Sequence, residues 1–284
     1  MTADELFPAE LLEAAQLCAV PPERRGIPFS SGAHRSPFPG DSSEFQDYRA
    51  YTPGDDLRRV DWNIFRRTRR LLLRRFRNFP RTKHLIVLDG TRSVRCAPER
   101  VGTAWRIAFF LGAVLLSGGD PVTVCCGTHS AVFPAGSASA SALSAFLMEC
   151  FHAPAEKSLF PLRLPAGAHS WVVSDFLVPE GLARLEQYLK HSAGFTPLRI
   201  RNRKEELNPG GYSGFRLIDS ESGTEVAVSS DCVARYMERL EHFESLLTRF
   251  AERSGGGYQV FDCTLSVPEL IHQCRTKLCP EVSA

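Results

Sequence analysis

The stretch His84-Leu85-Ile86-Val87-Leu88-Asp89-Gly90-Thr91-Arg92-Ser93 decides the fold of this chain. Its first part, His84–Leu88, is almost wholly apolar and runs directly into an acid, a glycine and two hydroxyl side chains. A short apolar run bounded by turn formers is typical of a buried strand in a parallel sheet. The turn beyond such a strand lies where parallel sheets hold their ligands. We therefore expect the sheet and the functional site to be built around this strand.

Polar side chains alternate just beyond the strand. Asp89, Thr91 and Ser93 occupy every second position, so their side chains can point into one small space. Carboxylate and hydroxyl oxygens suit Mg²⁺, which keeps several waters and rarely uses an all-protein cage. The pattern predicts a weak divalent-metal site with one open position for a partner's carboxylate. The alternative is that the acid caps the next helix or holds the turn.

Strands and helices alternate beyond residue 83. The predicted strands are His84–Leu88, Val122–Cys126, Ala131–Phe133, Ser170–Val173, Phe195–Ile200 and Tyr258–Phe261. The predicted helices are Arg100–Ser117, one that ends near Phe151, Gly181–Lys190, Asp231–Arg253 and Pro268–Leu278. This alternation predicts a doubly wound, mostly parallel α/β sheet with helices on both faces. A hairpin is predicted as an insertion within residues 201–230.

A second acid follows the fourth predicted strand, in Ser174-Asp175-Phe176. In the common strand order 3-2-1-4-5-6, the direction of progression reverses between the first and fourth strands. Because Asp89 follows the first strand and Asp175 the fourth, we expect both aspartates in the crevice at this switch point.

Residues 1–81 do not follow the alternation, and we predict an N-terminal extension to a domain at 82–284. Within it, residues 4–18 have the spacing of an amphipathic helix, and a loop rich in glycine, proline and serine covers 22–43. A turn at Pro53-Gly54 follows, and Asp55 or Asp56 is then placed to cap a short helix through Trp62 and Phe65. Leu71–Phe76 predicts an edge strand.

The end of this extension is strongly basic. Residues 66–83 contain eight arginines and one lysine without an acid. Nucleic-acid binding through this face is one interpretation. The other is a solvated or internally paired basic face, because six acids precede it in residues 41–61. We favour the second, since basic runs often have no nucleic-acid partner.

Composition excludes several classes of protein. The net charge of +2 is neither that of a polyanion binder nor that of an acidic buffer. We see no apolar run near the roughly 20 residues of a membrane span. Acids stand near the N-terminus where a signal peptide carries basic residues, so export is not expected. Nine cysteines without a C-x-x-C pair indicate reduced thiols, and the expected location is the cytoplasm.

An enzymatic alternative, a divalent-metal-dependent hydrolase, rests on Asp89-Gly90-Thr91, which resembles the loop of aspartate-based phosphohydrolases. That loop needs Asp-x-Asp-x-Thr, and here the nucleophile position is Val87, which has no carboxylate to phosphorylate. No G-x-S-x-G, Walker, H-E-x-x-H or G-x-G-x-x-G motif is present. We therefore expect a protein that is not an enzyme.

Two motifs carry a resemblance to a known family. The first is GAHRSPFPG at residues 32–40 with EFQDYRAYTPGDDLRRVDW at 44–62, and the second is Leu88–Ser93 followed by Ser174–Phe176. Together they resemble the bacterial domain-of-unknown-function 58 family, a branch of the von Willebrand factor A-like folds. The second motif is similar to that fold's Asp-x-Ser-x-Ser metal-ion-dependent adhesion site with its later aspartate.

The resemblance implies a non-catalytic adaptor that works with a MoxR-type AAA+ ATPase in assembling or activating protein complexes. It implies Mg²⁺ at Asp89, Thr91, Ser93 and Asp175. Two departures stand out, because Thr91 replaces the usual serine and Arg92 places a permanent cation beside the carboxylates. The site's middle-loop threonine has no clear equivalent, and Thr128, Ser137 and Ser139 are its candidates.

The segment Glu44–Trp62 has two interpretations, which can both hold. Its aromatic residues pack the extension onto the sheet while its charged residues pair among themselves, or the ATPase grips this surface. The predicted partner-binding residues are Arg35, Tyr48, Arg49, Tyr51, Asp55, Asp56, Arg58, Asp61 and Trp62.

Overall fold

The computed structural model describes residues 1–18, 45–76, 83–159, 167–177, 192–220 and 222–279 of the chain. The chain divides into two compact units, Met1–Phe29 with Thr82–Ala284, and Ser30–Arg81. The loop predicted at 22–43, the helix predicted at 181–190 and Arg35 lie outside the described residues.

Ten strands and nine α-helices make up the described part of the chain, numbered in chain order. The strands are β1 (Phe45–Ala50), β2 (Leu72–Phe76), β3 (His84–Leu88), β4 (Val122–Cys126), β5 (His129–Phe133), β6 (His169–Ser174), β7 (Gly194–Arg201), β8 (Arg216–Ile218), β9 (Glu225–Ala227) and β10 (Gln259–Asp262). The described α-helices are α1 (Ala3–Leu6), α2 (Ala9–Gln16), α3 (Trp62–Thr68), α4 (Arg92–Arg95), α5 (Pro98–Ser117), α6 (Ser139–His152), α7 (Arg203–Leu207), α8 (Ser230–Arg253) and α9 (Val267–Leu278).

The first unit is built on a six-stranded sheet of order β10-β7-β6-β3-β4-β5. Its neighbouring strands pair in parallel, except β4 and β5, which are antiparallel. Numbered along the chain within this sheet, the strands follow the expected order 3-2-1-4-5-6. The prediction of a mostly parallel α/β sheet is therefore confirmed.

Helices pack on both faces of this sheet, and β3 shows how. All five residues of β3 are buried. Leu85 and Val87 belong to the core that Leu247 of α8 completes, whereas Ile86 and Leu88 belong to the core formed with α1, α2, α5, α6 and α9. Because side chains alternate along a strand, one apolar run supplies both cores.

Helix α5 lies at the centre of the larger core, where Trp105 is completely buried. Of the helices that the structure describes, α5 alone is long enough and apolar enough to cross a membrane, judged by length and composition. However, 83% of its apolar stretch is buried inside the protein. The expectation that the chain has no such run is corrected here. Burial on all sides explains why its apolar residues do not keep to one stripe.

The single helix predicted at residues 4–18 is two helices, α1 and α2. The chain breaks at Phe7 because Pro8 disfavours helical backbone in the residue before it. Arg106 of α5 donates to the carbonyls of Glu5 and Leu6 at the end of α1. Those bonds satisfy carbonyl groups that a helix end leaves unpaired.

The second unit contains the antiparallel pair β1 and β2, so the strand predicted near Leu71–Phe76 is confirmed. The predicted helix through Trp62 is also present, but its cap is Asp61, which accepts from the N–H groups of Asn63 and Ile64. Asp56 instead caps a 3-10 turn at Leu57–Arg59. The predicted cap was therefore wrong, because a second short turn separates Asp56 from α3.

The hairpin expected within residues 201–230 is formed by β8 and β9, which pair antiparallel and are exposed. All nine cysteines lie among the described residues, and each carries a free thiol.

Candidate metal and docking site

The carboxyl ends of β3 and β6 lie side by side, because these strands are neighbours where the strand order reverses. Asp89 directly follows β3, and Asp175 directly follows β6. The Asp89 N–H donates to the Val173 carbonyl at 3.0 Å, which extends the parallel pairing one residue beyond β3. The structure thus places both aspartates in one crevice, at the predicted switch point.

Side-chain oxygens form a continuous row from Asp89 to Asp175. Thr91 Oγ1 donates to Asp89 Oδ1 at 2.6 Å and lies 3.1 Å from Ser93 Oγ. Ser93 Oγ donates to Asp175 Oδ1 at 3.3 Å. Neighbouring ligands of an octahedral Mg²⁺ ion lie about 2.9 Å apart, given its bond lengths. All four predicted metal ligands are therefore together in one hydrogen-bonded row, and its spacings are close to those between neighbouring ligands of such an ion.

Hydrogen bonds from the turns hold the carboxylates in place. Asp89 accepts from the Thr91 N–H at 2.9 Å and from the Ser174 hydroxyl, which itself accepts from the Phe176 N–H. Asp175 accepts from the Leu177 N–H at 3.0 Å. Asp89 therefore also closes its turn, as the alternative interpretation expects. Ser174 is a site residue to which the sequence motif assigned no role.

The cation beside the cluster is Arg100, although the sequence pointed to Arg92. Arg100 Nη1 lies 3.4 Å from Asp175 Oδ2 and donates to the Ser93 carbonyl at 2.8 Å. Arg92 is exposed and forms no ion pair with either aspartate among the described residues. Arg100 stands in the first turn of α5, where the helix dipole disfavours a cation. That position was the available signal that Arg100 has a partner elsewhere.

The two aspartates are electrostatically unequal. Burial, together with the charge of Asp175, raises the pKa of Asp89 to about 6. Burial also raises the pKa of Asp175, while the Leu177 N–H and Arg100 act in the opposite direction. No ion pair to Asp89 is found in the described part of the chain. The cluster therefore has two acids and one cation, which leaves it net negative when both carboxylates are ionised.

The row of oxygens is closed to solvent. Asp89, Thr91, Ser93 and Asp175 are no more than 6% exposed. The open position expected from the sequence is thus covered in this arrangement. No group of three or more His, Cys, Asp or Glu that could hold a metal is found in the described ranges. An ion in this crevice therefore depends on the two hydroxyls as well as the two carboxylates.

Of the middle-loop candidates, Thr128 lies at this edge, just after β4. Ser137 and Ser139 follow the antiparallel β5 and so lie towards the opposite edge. Thr128 donates through its N–H and its hydroxyl to Glu156 Oε1, at 3.2 and 3.3 Å. The Glu156 N–H in turn donates to the Gly90 carbonyl at 2.8 Å. Sequence reasoning missed Glu156, which no motif marks.

A second charged network, also missed, lies beside Arg100. Arg199 is completely buried and pairs with Glu206 at 2.7 Å and Glu244 at 2.6 Å. Arg100 Nη2 lies 3.9 Å from Glu205 Oε2, so α7 contacts both arginines. An arginine within a predicted buried strand was the signal, because a buried charge needs a partner.

The residues expected to bind a partner through the second unit are engaged mainly with one another. Tyr48 donates to Asp61 Oδ2 at 3.1 Å, and Arg49 pairs with Asp55 at 2.6 Å. Hydrogen bonds from the Thr52 hydroxyl and N–H, together with the Arg49 guanidinium, lower the pKa of Asp55 to about 2. Four more of the predicted partner-binding residues are described. Tyr51 is half-buried, Asp56 accepts a hydrogen bond from the Arg58 N–H, and Trp62 is 51% exposed.

These observations define the class of protein, which is an α/β protein with a mixed six-stranded sheet and an acid–hydroxyl cluster at the switch point of that sheet. The chain matches the family model "Protein of unknown function DUF58" over residues 47–242, and it belongs to this family. No curated protein and no solved structure matches it.

Proposed function

We propose that this chain is a non-catalytic adaptor that works with a MoxR-type AAA+ ATPase in assembling or activating protein complexes, with a von Willebrand factor A-like sheet domain as its scaffold. The observation that carries the proposal is the meeting of Asp89 and Asp175, 86 residues apart along the chain, in one crevice lined with hydroxyls. The family resemblance supports the choice of partner. Free thiols throughout support action in the cytoplasm.

We assign Asp89, Thr91, Ser93 and Asp175 as the residues that hold a divalent cation. Bound there, Mg²⁺ would supply positive charge and an open coordination position that a partner's carboxylate could fill. The chain's own residues keep the two acids ionisable and oriented through hydroxyl and N–H donors. Because the row is buried, docking requires a rearrangement that exposes it, and Arg100 must share Asp175 with the ion.

Calorimetric titration of the full chain with Mg²⁺ tests the cation. We expect weak binding that Asp89→Asn and Asp175→Asn abolish. Asp231→Asn, an exposed acid at the start of α8, should leave it unchanged. Arg100→Gln should strengthen it, because the guanidinium no longer competes for Asp175. Absence of binding in both the wild type and Arg100→Gln contradicts the metal assignment.

Affinity capture from a native lysate tests the partner. We expect an AAA+ ATPase to be captured by the wild type and to be reduced with Asp89→Asn. Capture of the ATPase by neither protein contradicts the adaptor proposal. Equal capture of the ATPase by both proteins would support the adaptor proposal and would show that the metal site takes no part in docking.

A further inference from the structure

An exposed set of arginines follows Trp62 in the second unit, and we call it the arginine patch: Trp62, Arg66, Arg67, Arg69 and Arg70. All five side chains are exposed, with Trp62 at 51%. None of the four guanidinium groups has a hydrogen bond or an ion pair within the part of the chain that the structure describes. The four arginines are therefore solvated rather than internally paired, so a solvated face and a nucleic-acid interface are the two interpretations left for this part of the basic run.

Local structure explains why these side chains face outward together. Trp62 and Arg66 stand one helical turn apart on α3, so they share one face of that helix. Arg66 and Arg67 are in its last turn, where the helix dipole favours cations. Arg69 ends the helix in the left-handed conformation, with φ 57°, and Arg70 follows it.

No acid among the described residues of the same unit forms an ion pair with the patch. Asp55 is held by Arg49 and Thr52, Asp56 by the Arg58 N–H, and Asp61 by the first N–H groups of α3. The positive charge of the patch is therefore available to a partner.

We propose that the arginine patch binds single-stranded nucleic acid, with guanidinium groups on phosphates and Trp62 stacked on a base. The patch contains arginine and no lysine. A planar guanidinium can bind two phosphate oxygens at once, whereas a surface that attracts phosphate by charge alone would have no preference for arginine over lysine. An exposed ring among unpaired arginines is the combination that single-strand binders use. This role is independent of the metal site, and it assigns Trp62, one of the residues predicted to bind the ATPase, to the nucleic-acid strand instead.

The chain contains its own reporter of stacking. Of its three tryptophans, Trp105 and Trp171 are completely buried, so Trp62 is the one that a base can reach. We expect a dT oligonucleotide to quench the tryptophan emission of the full chain, and Trp62→Phe to abolish the quench. Polarisation with the same labelled strand should show roughly ten-fold weaker binding for that variant, as loss of one stacked base predicts.

The charge contribution is tested with matched double variants. Arg66→Gln with Arg67→Gln should weaken binding of the dT strand about ten-fold or more and lower its salt dependence. The control is Arg249→Gln with Arg253→Gln, two exposed arginines of α8, and it should bind as the wild type does. Circular dichroism confirms that each variant is folded.

Several outcomes overturn the proposal. One is the absence of dT binding at low salt, and another is equal weakening by the two double variants. A third is binding without any change in Trp62 emission. Equal or tighter binding of a duplex, of polyglutamate or of anionic vesicles also overturns it, because charge alone would then explain the patch.

Discussion

Asp89 and Asp175 of the first unit are buried and accept hydrogen bonds from hydroxyl and N–H groups of their own turns. Arg66 and Arg67 of the second unit are exposed, and their guanidinium groups have no partner among the described residues. Asp89 and Asp175 follow apolar strands, whereas Arg66 and Arg67 belong to a basic run. The fold encloses one set with its partners and leaves the other to solvent.

This difference indicates what each region can do. A buried charge costs several kcal/mol unless the fold pairs it, so such a site is tied to stability and opens only by rearrangement. An exposed charge costs little to fold and remains ready to bind. Substitutions should therefore separate the two regions: changes at buried charges alter stability, and changes at the arginine patch alter binding alone.

The largest effect is expected at Arg199. Arg199→Gln leaves Glu206, which is 8% exposed, as a buried acid without its partner. We expect the free energy of unfolding to fall by about 3–5 kcal/mol, measured by urea denaturation. Arg216→Gln is the control, because its pair with Glu225 is exposed on both sides, and it should change little. Equal effects of the two substitutions would contradict the distinction between buried and exposed charge.

A smaller effect of opposite sign is expected at Asp89. The pKa of Asp89 is raised from 3.8 to about 6 in the folded state, so stability from this group is present below pH 3.8 and is lost as pH rises through about 6. Asp89→Asn removes the cost of ionisation and should stabilise the Mg²⁺-free protein at pH 7 by up to about 3 kcal/mol.

The pH dependence isolates this cause. Melting temperatures of wild type and Asp89→Asn, measured without divalent cations, should differ most at pH 7 and converge as pH falls to 4. Carboxylates that do not interact with Asp89 titrate alike in both proteins and cancel in the difference, whereas removal of the Asp89 charge also makes Asp175 easier to ionise. A variant that is less stable at pH 7 would mean that hydrogen bonds from Thr91 and Ser174 outweigh the cost of burial.

The sheet and the meeting of the two aspartates were predictable from the sequence, because both follow from local patterns. Apolar runs that end in acids mark strands, and the reversal of strand order brings the ends of the first and fourth strands together. The oxygen row from Asp89 to Asp175 is therefore a consequence of topology combined with two short motifs.

The surroundings of the cluster were not predictable in the same way. Arg100 reaches Asp175 across the crevice, and Glu156 bonds to Gly90 from a segment 66 residues later. Such contacts depend on the paths of loops, which no local periodicity encodes. The cap of α3 was missed for a related reason, since Asp56 and Asp61 are equally suitable by residue type and only the intervening 3-10 turn separates them.

The smallest effect on stability is expected at the arginine patch. Arg66→Gln with Arg67→Gln should change the free energy of unfolding by no more than about 0.5 kcal/mol, since both side chains are exposed and give up only a weak interaction with the dipole of α3. Asp61→Ala is the contrast within the same helix, because it removes a buried cap and should cost about 1 kcal/mol. Urea denaturation measures both. If the arginine variant lost as much stability as the cap variant, Arg66 and Arg67 would have structural partners in solution, and a patch already occupied by the protein itself is not free to bind a nucleic-acid strand.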